Sequence, residues 1–82
     1  MAKPIEQIRV IRRKQGALIR FHRKTLDMTL QQVGNGLGVS KDAVSQWEKG
    51  LTSPTTPNQI ALARILQVPW IDIFGLDDAD VA

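Results

Sequence analysis

The chain has 82 residues, 43% of them hydrophobic, no cysteine and a formal net charge of +3. That length fits one domain, the lack of cysteine excludes disulfides and thiolate metal sites, and no run approaches the roughly 18–20 apolar residues of a membrane span. The charge is unevenly placed: residues 1–24 hold eight lysines and arginines against Glu6 alone, whereas residues 72–82 hold four aspartates and no base.

A cationic first third can neutralise phosphates, and charge neutralisation governs much of nucleic-acid affinity. The same pattern equally describes a solvated helix face. Apolar residues recur at three-and-four spacing and period-two alternation does not persist, so five helices are expected. The first is predicted over Arg13 to Leu26, where Ile19, Arg23 and Leu26 follow one another on one side. Leu18 and Phe21 widen that side, and Gly16 reads as a frayed start or a break. Upstream, Ile5, Ile8 and Ile11 repeat every three residues. Residues 1–13 are therefore either a helix extension, with Pro4 in its first turn, or a basic arm.

The second helix is predicted over Leu30 to Leu37. Thr29 is its N-cap, Gln32 closes a capping box, Leu30, Val33 and Leu37 face inward, and Gly38 ends it. Gly36 costs this helix about 1 kcal/mol relative to alanine with no visible return in the sequence. The third helix is predicted over Lys41 to Lys49, capped by Ser40 and stopped by Gly50. Ala43, Val44 and Trp47 fall in one arc of about 100°. Asp42, Ser45 and Lys49 lie opposite, flanked by Lys41 and Gln46. After a loop over residues 51–55, Thr56 is expected to cap a fourth helix, with Pro57 in first position and Gln59 closing a second capping box. Ile60, Leu62, Ala63, Ile65 and Leu66 make that helix apolar. Pro69 opens a short fifth helix containing Trp70, Ile71, Ile73 and Phe74, and Gly75 ends it. Residues 76–82 read as a mobile acidic tail.

About three residues separate the second and third helices, and so short a turn makes them cross steeply. Gly34 is small where the crossing is tight, Gly38 permits the turn, and Val39 and Val44 anchor it. The run Gly38-Val39-Ser40-Lys41-Asp42-Ala43-Val44-Ser45-Gln46-Trp47-Glu48-Lys49-Gly50, followed by Pro54 and by Ala61-Leu62-Ala63-Arg64-Ile65-Leu66-Gln67-Val68, resembles the lambda-repressor-like (Cro and cI) family of helix-turn-helix regulators. The resemblance covers about residues 15–75. It implies an all-α, five-helix DNA-binding domain over residues 14–75 and a dimer reading a two-fold operator as a transcriptional regulator, in the first instance a repressor. By matched position, Lys41, Asp42, Ser45 and Gln46 would read bases, and Lys49 a base or a phosphate. Arg23 and Glu48 match an ion pair between the first and third helices. The family's usual glutamine at the start of the second helix is Leu30 here, which leaves its contact to Gln31 or to nothing.

Gln46 suits adenine through a bidentate pair, and Asp42 suits a cytosine amino group while repelling phosphate, which would narrow the choice of operator. Thr29, Gln31 and the amides beside them are expected to face a phosphate, as are Arg12, Arg13 and Lys14. Trp47 belongs to the core. Trp70, Ile71, Ile73 and Phe74 are expected to close the core, to meet a second subunit, or both. No metal or cofactor is expected: His22 has no catalytic constellation around it, and Asp77, Asp78 and Asp80 lack the spacing of a calcium loop. Gly34-Asn35-Gly36-Leu37-Gly38 follows no strand and is no phosphate loop. No nucleophile, base and orienting group stand at a recognisable spacing, so neither enzyme activity nor a small-molecule substrate is expected. The expected partners are double-stranded DNA and a second copy, in the cytoplasm at the nucleoid. An antitoxin or a restriction-modification controller would share the fold, and an antitoxin would meet its protein partner through the C-terminal helix or the acidic tail. A module that keeps the fold for protein contacts alone is a third reading, against which the polar third helix with its two lysines counts.

Overall fold

The computed structural model describes residues 4–75. The acidic segment 76–82 lies outside the described residues, as do residues 1–3. Five helices follow in order: α1 (Pro4–Thr25), α2 (Leu30–Leu37), α3 (Lys41–Glu48), α4 (Thr56–Ile65) and α5 (Trp70–Phe74), with no strand among the described residues. They enclose one core of Ile19, Val33, Val44, Trp47, Leu62, Leu66, Ile73 and Phe74, to which every helix contributes. Removing these side chains from water is the main drive to fold.

The apolar stripes are narrower than their sequences suggest. Phe21 and Ile60, expected on inner faces, are 62% and 44% exposed. Each lies two residues from a buried neighbour, Ile19 and Leu62, and two residues turn a helix by about 200°. On α1 the buried positions are instead Gly16, Ile19 and Arg23.

The first helix also begins earlier than Arg13, running unbroken from Pro4. Its 22 residues make a rod about 33 Å long. Gly16 is thus neither a frayed start nor a break. It is where α1 lies against the end of α3: a β-carbon there would stand 2.5 Å from Glu48 O and would also collide with Trp47 O. Gly34 serves the α2–α3 crossing in the same way, since a β-carbon would lie 2.6 Å from Val39 O. Gly36 now has an explanation too. Its β-carbon would reach within 2.8 Å of Ile65 Cδ1, at the contact of α2 with α4.

Local hydrogen bonding sets the helix ends. Thr29 Oγ1 accepts from Gln32 N at 3.0 Å and Gln32 Oε1 accepts from Thr29 N at 2.8 Å, the expected capping box of α2. Ser40 Oγ accepts from Ala43 N at 3.1 Å and caps α3. The second capping box does not form. The N-cap of α4 is Thr55, one residue earlier, with no side-chain cap, and the Gln59 side chain is engaged elsewhere. Its Nε2 donates to Pro54 O at 3.2 Å, and its Oε1 accepts from Trp70 Nε1 at 3.1 Å.

Helices α1 to α4 all close through one device, in which the amide two residues past the last turn reaches five residues back. The bonds are Met28 N to Arg23 O, Val39 N to Gly34 O, Leu51 N to Gln46 O and Val68 N to Ala63 O, at 2.9–3.1 Å. Such a closure needs one left-handed residue. Glycine supplies it at Gly38 (φ 71°) and Gly50 (φ 73°), whereas Asp27 (φ 54°) and Gln67 (φ 60°) adopt it despite their side chains.

These contacts separate glycines that look alike in sequence. Gly16→Ala drives a methyl into backbone carbonyls that cannot rotate aside, so the roughly 1 kcal/mol gained in helix propensity should be outweighed and urea unfolding should show a loss of about 2 kcal/mol or more. Gly36→Ala meets only the tip of a flexible isoleucine and should fall within about 1 kcal/mol of the parent. Gln67→Gly should raise the thermal midpoint, relieving a left-handed strain of about 1 kcal/mol.

Candidate nucleic-acid interface

The third helix is divided lengthwise. Val44 and Trp47 are buried, Ala43, Ser45 and Glu48 are half-buried, and Lys41, Asp42, Gln46 and Lys49 are exposed. The polar side is therefore continuous and accessible. Of the residues expected to read bases, only Ser45 sits partly recessed, in a groove also lined by Arg20, Lys24, Leu30 and Lys49.

What fixes the orientation of this helix is charged. Arg23 Nε donates to Glu48 Oε2 at 2.6 Å and Nη2 donates to Oε1 at 3.0 Å. The remaining Nη1 donates to Met28 O at 2.9 Å, at the chain reversal after α1. Both side chains are nearly out of water, at 11% and 7% exposure. The two parallel bonds match a guanidinium to a carboxylate in one geometry only. They raise the pKa of Arg23 above its already high ordinary value, chiefly through hydrogen bonding to Glu48 and against the opposing effect of burial. A raised guanidinium pKa stabilises the fold at every pH below the ordinary arginine value and is lost only in strong alkali. On the arginine side, then, the pair is insensitive to physiological pH.

At the start of α2, the capping box uses Thr29 N and Gln32 N, leaving the amides of Leu30 and Gln31 without an intrahelical acceptor. Gln31 is exposed and its Nε2 donates to Asn35 Oδ1 at 2.8 Å. Arg12 and Arg13 line a groove with Arg9, Lys49, Gly50 and Leu51. Lys14, adjacent in sequence, does not line it. On α5 the four apolar residues split: Ile73 and Phe74 join the core, while Trp70 and Ile71 stay 42% and 65% exposed. Sequence reasoning set Arg9 in one basic run with Arg12, Arg13 and Lys14, but missed Arg20 and Lys24. Their signal was available, since 9, 13, 16, 20 and 24 step by three or four along one face of a helix, but it is visible only once α1 is known to run through Gly16.

A buried anchor, a glycine-sealed turn and an outward polar helix define a helix-turn-helix domain, and a model of the helix-turn-helix family matches residues 19–73. The chain belongs to that family, in its lambda-repressor-like branch. The HTH-type transcriptional regulator DicA of Escherichia coli (strain K12) is 42% identical over 65 residues, which are 77% of this chain and 47% of that protein. Repressor protein C2 of Salmonella phage P22 is 42% identical over 52 residues, 63% of this chain and 24% of the repressor. An uncharacterized HTH-type transcriptional regulator of Methanothermobacter thermautotrophicus is 39% identical over 62 residues, 74% of this chain and 90% of that one. The chain thus spans about half the length of DicA and a quarter of C2. Among solved structures, the P22 c2 repressor in complex with a synthetic operator matches with a TM-score of 0.72 at 36% identity, over 77% of this chain and 96% of that one.

Glu48→Ala should leave the Arg23 guanidinium buried and uncompensated, at a cost of about 3–5 kcal/mol, read as a lowered midpoint in denaturant. The double variant Arg23→Met, Glu48→Leu should recover most of that loss, because desolvation of both charges disappears together.

Proposed function

We propose that this protein binds double-stranded DNA sequence-specifically as a homodimer and regulates transcription, in the first instance as a repressor in the cytoplasm. The observation that carries this is the division of α3: Val44, Trp47 and the Arg23–Glu48 pair hold its inner side, and its outer side offers Lys41, Asp42, Gln46 and Lys49 to solvent. A helix presented in this way can enter the major groove with its side chains at base edges. Kinship with a repressor whose structure contains its operator supports the same use here.

In this reading Gln46 pairs with adenine, Ser45 adds a hydroxyl contact beside it, and Lys41 takes guanine or phosphate. Asp42 accepts from cytosine and penalises sites that bring a phosphate close. The amides of Leu30 and Gln31, with the Thr29 hydroxyl, meet a backbone phosphate at the start of α2. A second copy supplies the second recognition helix, about 34 Å away along the duplex, and covers the exposed Trp70 and Ile71 of α5. This role requires no catalytic group and no cofactor.

In vitro selection from random duplexes should return two inverted half-sites one helical turn apart. Gln46→Ala should weaken binding to the selected site by about 1–3 kcal/mol, roughly five- to 150-fold, and leave non-specific binding unchanged. Asp42→Ala should broaden the selected sequences. If Ser45→Ala and Gln46→Ala together leave selectivity intact, or if DNA leaves the resonances of α3 unshifted, the reading is wrong.

A further inference from the structure

We propose that the N-terminal half of α1 is a second DNA-backbone site, taking phosphates in the groove formed by Arg9, Arg12, Arg13 and Lys49. The proposal rests on the DNA-binding reading above and extends its footprint past the recognition helix.

Gly16 seats one face of α1 on the end of α3. Cations on that face consequently fall on both sides of the α3 terminus. Arg20 and Lys24 share a groove with Ser45 and Lys49 on one side, and Arg9, Arg12 and Arg13 share one with Lys49 on the other. Lys49 borders both. A helix that reads base edges in the major groove has the phosphate strands beside it, so a cationic rail leading away from its end meets backbone rather than bases.

Three features mark the outer groove as a site for an anion. No carboxylate lines it. All four cations are exposed, and among the described residues none is in an ion pair. Ile5, Ile8 and Leu51 form an apolar wall, and an apolar wall concentrates the field of charges beside it. The macrodipole of α3 accounts for a cation at its last turn. It does not account for Arg9, which stands seven residues before Gly16, about 10 Å further along the α1 axis. Because residues 4–14 are helical, the site is preformed, and binding would not have to order a loose arm. Its three arginines lie outside residues 19–73, which the family model matches, so they are an addition to the shared helix-turn-helix, which supplies Lys49 alone of the four cations.

The test uses the full chain and a selected operator fragment. The variant Arg9→Gln, Arg12→Gln, Arg13→Gln keeps good helix formers and removes the charge; circular dichroism checks that the fold persists. Each lost phosphate contact lowers the slope of log K against log salt by about 0.9. The slope should therefore fall by about 2–3, and phosphate-ethylation interference should vanish at the outermost positions while the selected base sequence stays the same. Arg64→Gln, an exposed cation on α4, should leave both unchanged. If the triple variant keeps the parental slope and interference pattern, this proposal is overturned while the recognition-helix reading stands. If instead an aspartate-rich peptide titrates Ile8 and Leu51 and the DNA slope is unaltered, the groove serves a protein segment and the proposal also fails. Should the parent bind no duplex at all, the DNA-binding reading itself falls.

Discussion

The rest of the structure depends on a single buried ion pair. Arg23 joins Glu48, the last residue of α3, to the Met28 carbonyl in the chain reversal after α1. Hydrophobic contact through Val44 and Trp47 determines how close α3 lies to the core, but contact of that kind is non-directional. A bidentate pair is directional. It fixes the rotation of α3 about its own axis, and that rotation decides which side chains face outward. Gly16 sets the remaining variable, distance, by letting the α3 carbonyls approach α1 closely. Burying two charges costs stability, and what the pair supplies against that cost is a fixed orientation of α3.

Much of the fold was legible because its signals are local. Capping residues at Thr29 and Ser40, glycines at 38 and 50, and apolar stripes on α2 and α3 each act within a few residues of where they stand. The failures have identifiable causes. Thr56, Pro57 and Gln59 have the composition of a capping box, yet Gln59 is committed to Pro54 and Trp70, the latter eleven residues away. Asp27 and Gln67 close helices in a left-handed conformation that their side chains do not advertise. Gly16 looks like a breaker from its neighbours alone, and only the proximity of α3 makes it an attachment point.

The candidate interface was legible to a different degree. The exposed positions on α3 follow from helical periodicity, and the Arg23–Glu48 pair from a matched family position; neither needed coordinates. The cationic face of α1 was hidden for want of a boundary. With residues 1–13 undecided between arm and helix, Arg9 and Arg20 had no fixed relation to one another. A continuous helix gives them one.

Gln59 has a consequence for how distant parts of the domain move together. One amide holds the carbonyl of Pro54, in the segment that follows α3, and the indole of Trp70, on the partly open flank of α5. Each bond is worth only about 1 kcal/mol, so neither makes the tether permanent. It acts as a soft coupling: restraint applied at Trp70 narrows the excursions of Pro54, and restraint at Pro54 steadies Trp70 by the same free energy. Whatever restrains the exposed flank of α5 and the stiffness of the chain leaving α3 are thereby joined through one side chain.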